Sequence, residues 1–397
     1  MADQRSTVYL DHAATTPMVP EAIEAMTAQL SRRGNPSSLH AAGREARRVV
    51  EEARETIAQA LDCRPTEVIF TSGGTEADNL GVKGIFWARR HADPRRTRVL
   101  TSTVEHHAVL DTVAWLAEEQ GAEVELIPVD RRGRLDLEAL GASIVRDPGS
   151  VAAISVMHAN NEVGTLQPLG DIVALAAAHG IPVHTDAVQS VGHVPVDFAA
   201  LGVDALSLTG HKLGGPFGVG ALIARRELTL TPVLHGGGQE REVRSGTLDA
   251  PAIAGFAAAV ELAVKTQSEH ASRIGALRDQ LVTRVREQVP DAIFNGDPVD
   301  RLPGNAHLKF PGCEGDSLLM LLDARGIECS TGSACSAGVP QPSHVLLAMG
   351  CSEDYSRSSL RFSLGHTSTQ ADVDALVEAI GPAVQRARGT STRKAGG

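Results

Sequence analysis

Ile181-Pro182-Val183-His184-Thr185-Asp186 and Ala205-Leu206-Ser207-Leu208-Thr209-Gly210-His211-Lys212 are two short, mostly apolar runs that end in polar side chains. Neither alternates strictly between apolar and polar residues, so each reads as a strand covered on both faces, the pattern of a parallel sheet. Working outward, residues 68–70, 98–101, 124–128, 151–157 and 219–224 read the same way. Amphipathic segments over 76–90, 107–120 and 170–179 lie between them and read as crossover helices. The prediction is an α/β large domain built on a mostly parallel, seven-stranded sheet. In open sheets of this kind the ligand crevice lies beyond the carboxyl ends of the strands. Asp186 and Lys212 fall there.

An amine and a carboxylate delivered by the ends of two buried strands are what pyridoxal phosphate requires. The amine forms a Schiff base with the aldehyde, and the carboxylate keeps the pyridine nitrogen protonated, which turns the ring into an electron sink. Taken singly, Asp186 serves equally well as a helix cap.

At 397 residues the chain is long enough for two domains. Aromatic residues make up only 3%, so the core must be built from Ala, Val, Leu and Ile. A formal net charge of −11 opposes nonspecific binding to nucleic acid or to an anionic membrane. No stretch approaches the roughly 18 apolar residues of a membrane span. Five cysteines without a CxxC pair fit free thiols and a reducing, cytoplasmic compartment.

A second pattern follows Leu248-Asp249-Ala250-Pro251, with Pro251 suited to the first turn of a helix. Ile274, Leu277, Leu281, Val285 and Val289 keep a helical stripe. Strands over 306–310 and 327–330 and helices over 316–325 and 370–388 complete a smaller α+β domain. The expected division is 15–255 for the large domain and 1–14 with 256–388 for the small one, with 389–397 as a frayed polar tail. The first sixty-odd residues are expected to pack partly on the small domain.

Several segments carry candidate chemistry. Thr71-Ser72-Gly73-Gly74-Thr75-Glu76 joins a strand to a helix, and its small residues let backbone amides approach a phosphate at the helix N-terminus. A plain turn capped by Thr75 explains the same residues. In Glu105-His106-His107, His106 suits stacking on a cofactor or proton transfer, whereas His107 reads as the first residue of the next helix. A zinc site with His158 or His184 lacks any paired-ligand spacing. Asn160-Asn161-Glu162 ends another strand, and Gln189 lies three residues beyond Asp186. Cys335, in Gly332-Ser333-Ala334-Cys335-Ser336-Ala337-Gly338, has no bulky neighbours to bury it and suits nucleophilic work. A disulfide with Cys329 is the alternative. Arg361, on a strand-like run, suits a bidentate grip on a carboxylate or a solvated surface.

Together these segments resemble the cysteine desulfurases, pyridoxal-phosphate enzymes of the aspartate aminotransferase fold type within the class V aminotransferase family. The resemblance covers nearly the whole chain. It rests on Tyr9 to Pro17, Gly34 to Ser38, Thr71 to Asn79, Glu105 to Leu110 and His158 to Gly164, then on Asp186 to Ser190, Gly210-His211-Lys212, Arg244 to Thr247, Gly332 to Cys335 and Ser359 to Gly365. The Gly-Ser-Ala-Cys form is similar to the branch with a longer cysteine loop, typified by housekeeping and nitrogen-fixation desulfurases.

The resemblance implies that Lys212 carries the cofactor and later moves the Cα proton of L-cysteine. It implies that Asp186 pairs with the pyridinium, Gln189 and Asn161 with the ring oxygen, and that His106 stacks on the ring. Gly74, Thr75, Thr209 and His211 would hold the phosphate, with Thr247 reaching in from the second subunit of a homodimer. Arg361, with Asn35, would bind the substrate carboxylate. Cys335 would take the sulfur as a persulfide and release L-alanine. A scaffold or thiolation factor would then accept that sulfur for iron–sulfur cluster assembly, tRNA thiolation or DNA phosphorothioation. Other enzymes of this fold, a transaminase or a selenocysteine lyase, and a non-catalytic scaffold are the rival readings. Gly214 and Phe217 depart from the Tyr and Lys that relatives often carry, and residues 229–234 replace an Arg-rich stretch.

Overall fold

The computed structural model describes residues 7–332 and 341–394. A short strand, β1 (Val8–Tyr9), opens the chain. Seven strands then build the large sheet: β2 (Val68–Thr71), β3 (Arg98–Ser102), β4 (Glu123–Ile127), β5 (Val151–Ser155), β6 (Val183–Asp186), β7 (Ala205–Thr209) and β8 (Gly220–Ala224). Their spatial order is β2-β8-β7-β6-β5-β3-β4. From β4 to β7 all neighbours are parallel, and β8 runs antiparallel to both β7 and β2. The short link from β7 to β8 explains the exception, because a parallel crossover needs a dozen residues or more. Every residue of β2, β3, β5, β6, β7 and β8 is buried, as strands covered on both faces must be. Only β4, at the edge, is partly exposed.

The remaining strands are β9 (Ile293–Phe294), β10 (Asn305–Lys309), β11 (Ile327–Glu328) and β12 (Ser359–Ser363). β12, β10 and β9 form an antiparallel sheet, while β1 pairs in parallel with β11. Leu10 joins Ile274, Leu281, Val285, Phe310 and Phe362 in the core of this smaller unit. Among the described residues, the N-terminal segment hydrogen-bonds that unit through the stretch from Val8 to Thr16. The helices Pro20–Leu30 and Ala41–Ala60 pack against the helix Ala250–Lys265 instead, and Val50 and Ile57 enter the core of the large sheet.

Helix ends follow local chemistry. His107–Gln120 begins at the expected residue, with His106 as its cap. Ala250–Lys265 carries Pro251 in its first turn and is capped by Asp249. The last helix runs Gln370–Lys394, beyond the expected end at 388 and through Gly389. One glycine costs about 1 kcal/mol in a helix, too little to stop one of 25 residues.

One buried polar row crosses the apolar sheet. Thr101, Ser155 and His184 are register neighbours on β3, β5 and β6. The helix Gly74–Ala92 lies over them. A Cβ at Gly81 would stand 2.6 Å from Cδ2 of His184, and that ring is held at both nitrogens, by Ser155 and Ser207 at 2.9 Å each. Gly81→Ala is therefore expected to destabilise the protein: overpacking costs about 1–3 kcal/mol, against roughly 1 kcal/mol that alanine gains in a helix. A urea unfolding midpoint at or above that of the parent would contradict this packing.

Candidate functional site

A cavity of about 380 Å³ opens beyond the carboxyl ends of β6 and β7, within the size range of small-molecule sites. Lys212 enters it from a tight turn, Gly210–Lys212, that directly follows β7. Its Nζ donates to the carbonyl oxygens of Ala13 (2.5 Å) and Ala14 (2.7 Å). Burial, helped by the Arg361 charge and opposed by Asp11 and Asp186, lowers its pKa to about 8. Asp186 is the last residue of β6, and its Oδ1 accepts the Val188 N–H at 2.9 Å. The capping role and the pocket role thus coexist in one carboxylate. Burial pushes this carboxyl upward, while His106, the Val188 N–H and Lys212 pull it back.

His106 caps the following helix by accepting the Ala108 N–H at Nδ1 (3.1 Å). The neutral ring therefore carries its proton on Nε2. Burial lowers its pKa, and Asp186 opposes the shift. His107 is the first helical residue and bonds Asp111 at 3.1 Å.

The helix Gly74–Ala92 starts without a side-chain cap, so its first-turn N–H groups face the cavity free for an anion. Thr75 lines the cavity and does not cap. A Cβ at Gly74 would come within 2.8 Å of Val188 Cγ2, so only glycine lets the backbone sit this close. Thr209 and His211 stand on the same cavity. Burial, then Lys212, lowers the His211 pKa to about 4, and its ring stacks on Phe217 with centroids 5.5 Å apart. These residues fit a phosphorylated aromatic aldehyde: an anion cradle, a weakly basic amine and a buried carboxylate share one cavity.

Arg361, on β12, bridges the two units. Its Nη2 pairs with Asp11 at 2.7 Å and its Nη1 donates to the Asn161 carbonyl at 2.9 Å. Its buried Nε–H has no partner among the described residues. Gln189 donates from Nε2 to the Ala13 carbonyl at 2.9 Å.

Two expected residues are not gathered here. Asn35 is exposed, with its Oδ1 turned onto the Ser37 N–H at 2.9 Å, and does not line the cavity. Thr247 is exposed and also lies off it. Cys335 lies outside the described residues. Cys329 is a free thiol whose pKa burial pushes up to about 12. His184 bonds two serines, and no cluster of three metal-ligating side chains occurs among the described residues.

Sequence reasoning assigned no role to Asp11, to the Ala13 and Ala14 carbonyls, to His344 on the cavity rim, or to Asp78. It also passed over Glu105. That side chain is fully buried, accepts the Met157 N–H on both oxygens (3.0 and 2.9 Å) and the Ser102 hydroxyl at 2.5 Å. Burial pushes its pKa up to about 8. A glutamate beside two histidines reads as polar surface, and only the packed structure shows that it is inside.

Comparison with known proteins agrees with this geometry. The Aminotransferase class-V family model matches residues 8–376. An IscS-like cysteine desulfurase of Mycobacterium tuberculosis is 56% identical over 390 residues, covering 98% of this chain and 99% of that protein. A solved NifS-like protein superposes with a TM-score of 0.88 at 35% identity, covering 96% of this chain and 100% of its own. A structure of SspA in complex with cysteine superposes with a TM-score of 0.76 at 34% identity, covering 90% and 99%.

The Glu105 shift has a sign that can be measured. A folded carboxyl that keeps its proton to about pH 8 contributes stability below its unfolded value and loses it as the pH rises toward 8. Glu105→Gln keeps an acceptor oxygen for the Met157 N–H and the Ser102 hydroxyl but has no proton to release. Between about pH 5 and 8.5, the melting temperature of the parent should fall relative to the variant. Parallel curves across that window would show that Glu105 is ionised throughout.

Proposed function

This chain belongs to the class-V aminotransferase family and, within it, to the cysteine desulfurases, and we propose that it acts with pyridoxal 5'-phosphate held in the cavity at Lys212. The enzyme converts L-cysteine to L-alanine and passes the sulfur on. The observation that supports the cofactor assignment most directly is the convergence of Lys212 Nζ, Asp186 and the uncapped helix start at Gly74 on one cavity. When bound, the cofactor supplies an electron sink for the charge left at the substrate Cα.

The roles of the protein groups follow from their positions. Gly74, Thr75, Thr209 and His211 would hold the phosphate, and Asp186 would keep the ring nitrogen protonated. His106 would hold the ring, and Asn161 and Gln189 would serve its oxygen. Arg361 binds the substrate carboxylate, with Asp11 fixing the guanidinium. Asn35 is not carried into this assignment, because its amide is engaged in its own turn. Lys212 Nζ moves the Cα proton; a pKa near 8 leaves part of the amine neutral and basic near neutral pH.

Cys335 then attacks the substrate sulfur as a thiolate. An S–S bond forms, the Cβ–S bond breaks, and Cβ takes a proton. Cysteine and the Cys335 thiol become alanine and a Cys335 persulfide. The acceptor of that sulfur is read as a scaffold or thiolation protein serving iron–sulfur assembly, tRNA thiolation or DNA phosphorothioation. With a net charge of −11, nucleic acid is left to the partner.

A homodimer accounts for Thr247. It is exposed on a segment pinned by the buried Arg54–Glu240 pair (2.7 Å) and by Arg244–Glu76 (2.8 Å). In this reading it reaches the phosphate in a second copy. Among the described residues no helix is long and apolar enough to cross a membrane. The free thiols at Cys63, Cys313, Cys329 and Cys351 support a reducing, cytoplasmic setting.

Four outcomes test the proposal. Purified protein given L-cysteine should release alanine and carry one extra sulfur on the Cys335 peptide by mass spectrometry. Cys335→Ser should keep the cofactor absorbance but form no persulfide, and unchanged turnover in that variant would remove Cys335 from the mechanism. Arg361→Lys should raise KM for cysteine about 10- to 100-fold, the equivalent of one charged hydrogen bond of about 1.5–3 kcal/mol. Mixed dimers of Lys212→Ala and Thr247→Ala chains should keep one fully intact cofactor site per dimer, and the loss of every intact site would show that Thr247 serves its own chain.

A further inference from the structure

Two consecutive side chains, Ser343 and His344, fasten the short helix His344–Ala348 to the strand ends of the large sheet. The Ser343 hydroxyl donates to the buried Glu162 carboxyl, and its oxygen accepts the Leu346 N–H at 3.1 Å. Nε2 of His344 lies 2.9 Å from the backbone carbonyl oxygen of Glu105. A carbonyl oxygen can only accept, so Nε2 carries the ring proton and Nδ1 keeps a lone pair. That nitrogen makes no hydrogen bond among the described residues. The half-buried ring lines the same cavity as Lys212, Asp186 and Arg361.

Three further imidazoles line the cavity among the described residues, and each is engaged elsewhere. His106 accepts the Ala108 N–H at Nδ1 and is assigned to the cofactor ring. Nδ1 of His211 is 3.3 Å from the Thr15 hydroxyl, and its ring stacks on Phe217. His107 gives its Nδ1–H to the Asp111 carboxylate at 3.1 Å, and its side chain is 45% exposed. It meets the His344 ring edge-on, with centroids 5.1 Å apart. His344 therefore combines a ring anchored to backbone with a nitrogen that is free to take a proton.

Sulfur transfer needs a proton carrier besides Lys212. Cys335 must lose its thiol proton to attack as a thiolate, and Cβ must gain a proton once its bond to sulfur breaks. We propose that His344 is that carrier: Nδ1 takes the proton of the Cys335 thiol as the S–S bond forms, then gives it to Cβ, where the electron pair of the broken Cβ–S bond is left. The exchange balances, since a thiol and cysteine become a persulfide and alanine while the imidazole ends as it began. The inference rests on the reading of Cys335 as the nucleophile. Chain connectivity supports it, because Gly332 also lines the cavity and three peptide links allow Cys335 at most about 11 Å from it. The titratable groups around the ring are Glu162 after β5 and Glu105, His106 and His107 after β3. An imidazolium at His344 is attracted by Glu162 and repelled by the neighbouring histidines. That balance suits a ring that holds a proton only in passing.

The test follows holoenzyme through a single turnover with L-cysteine and reads the rate at which the Cys335 peptide gains sulfur. Glutamine keeps an N–H for the Glu105 carbonyl but cannot carry the proton. His344→Gln should keep the cofactor absorbance and melting temperature of the parent, yet form persulfide about 100-fold more slowly at pH 7. A thiol ionises unaided above about pH 8.5, so this deficit should shrink to less than about tenfold near pH 9.5. Added imidazole should speed His344→Ala and leave the parent unchanged. His107→Gln should form persulfide at the parental rate. The inference is overturned by a parental rate in His344→Gln, or by a deficit that neither pH nor imidazole alters, which would leave His344 a structural fastening only. An equal loss in His107→Gln also overturns it and moves the proton to that ring. If Cys335→Ser turns over at the parental rate, the reading of Cys335 itself has failed.

Discussion

Parallel alignment of the central strands is the constraint from which the site follows. β3, β5, β6 and β7 all point their carboxyl ends to one edge of the sheet. Each delivers its next residues to the same cavity: His106 after β3, Asn161 after β5, Asp186 at the end of β6, and Lys212 after β7. Residues separated widely in sequence need no special loops to meet there. Hydrogen bonding between parallel backbones has already brought them together.

The cost of this arrangement is the burial of charge. Lys212, Asp186, Arg361 and Glu105 all lie where water is scarce, and an isolated ion there is strongly disfavoured. The N-terminal segment offsets much of this. Between β1 and the first helix it offers the Ala13 and Ala14 carbonyls to Lys212, the Ala13 carbonyl to Gln189, and the Asp11 carboxylate to Arg361. The same few residues pair with β11 and contact Ser363 of β12. They therefore tie the smaller sheet to the cavity of the larger one, and the cavity is complete only when both units are in place.

Much of this was legible beforehand. Apolar runs without alternation are readable because burial on both faces selects residue type at every position, and the strands at 68–71, 98–102 and 205–209 emerged within a residue or two of their expected ends. The helix starts at His107 and Ala250 were legible because capping is local chemistry. Gly74, Asp186 and Lys212 stood out because they fall at strand ends. Glu105 and Asp78 did not, since an acidic side chain carries no mark of being inside. Asn35 was expected beside Arg361 from motif likeness alone, and its own turn holds it elsewhere.

The sequence by itself determined the strand and helix content, the residues at the sheet's functional edge and the family to which the chain belongs. These depend on local pattern and on motifs read in order. Only the tertiary structure decided which charges are buried and what compensates them. That depends on distances between residues far apart in the chain, such as Asp11 with Arg361 or Glu105 with Met157. Free energies of buried polar groups turn on single hydrogen bonds, and no linear pattern specifies those.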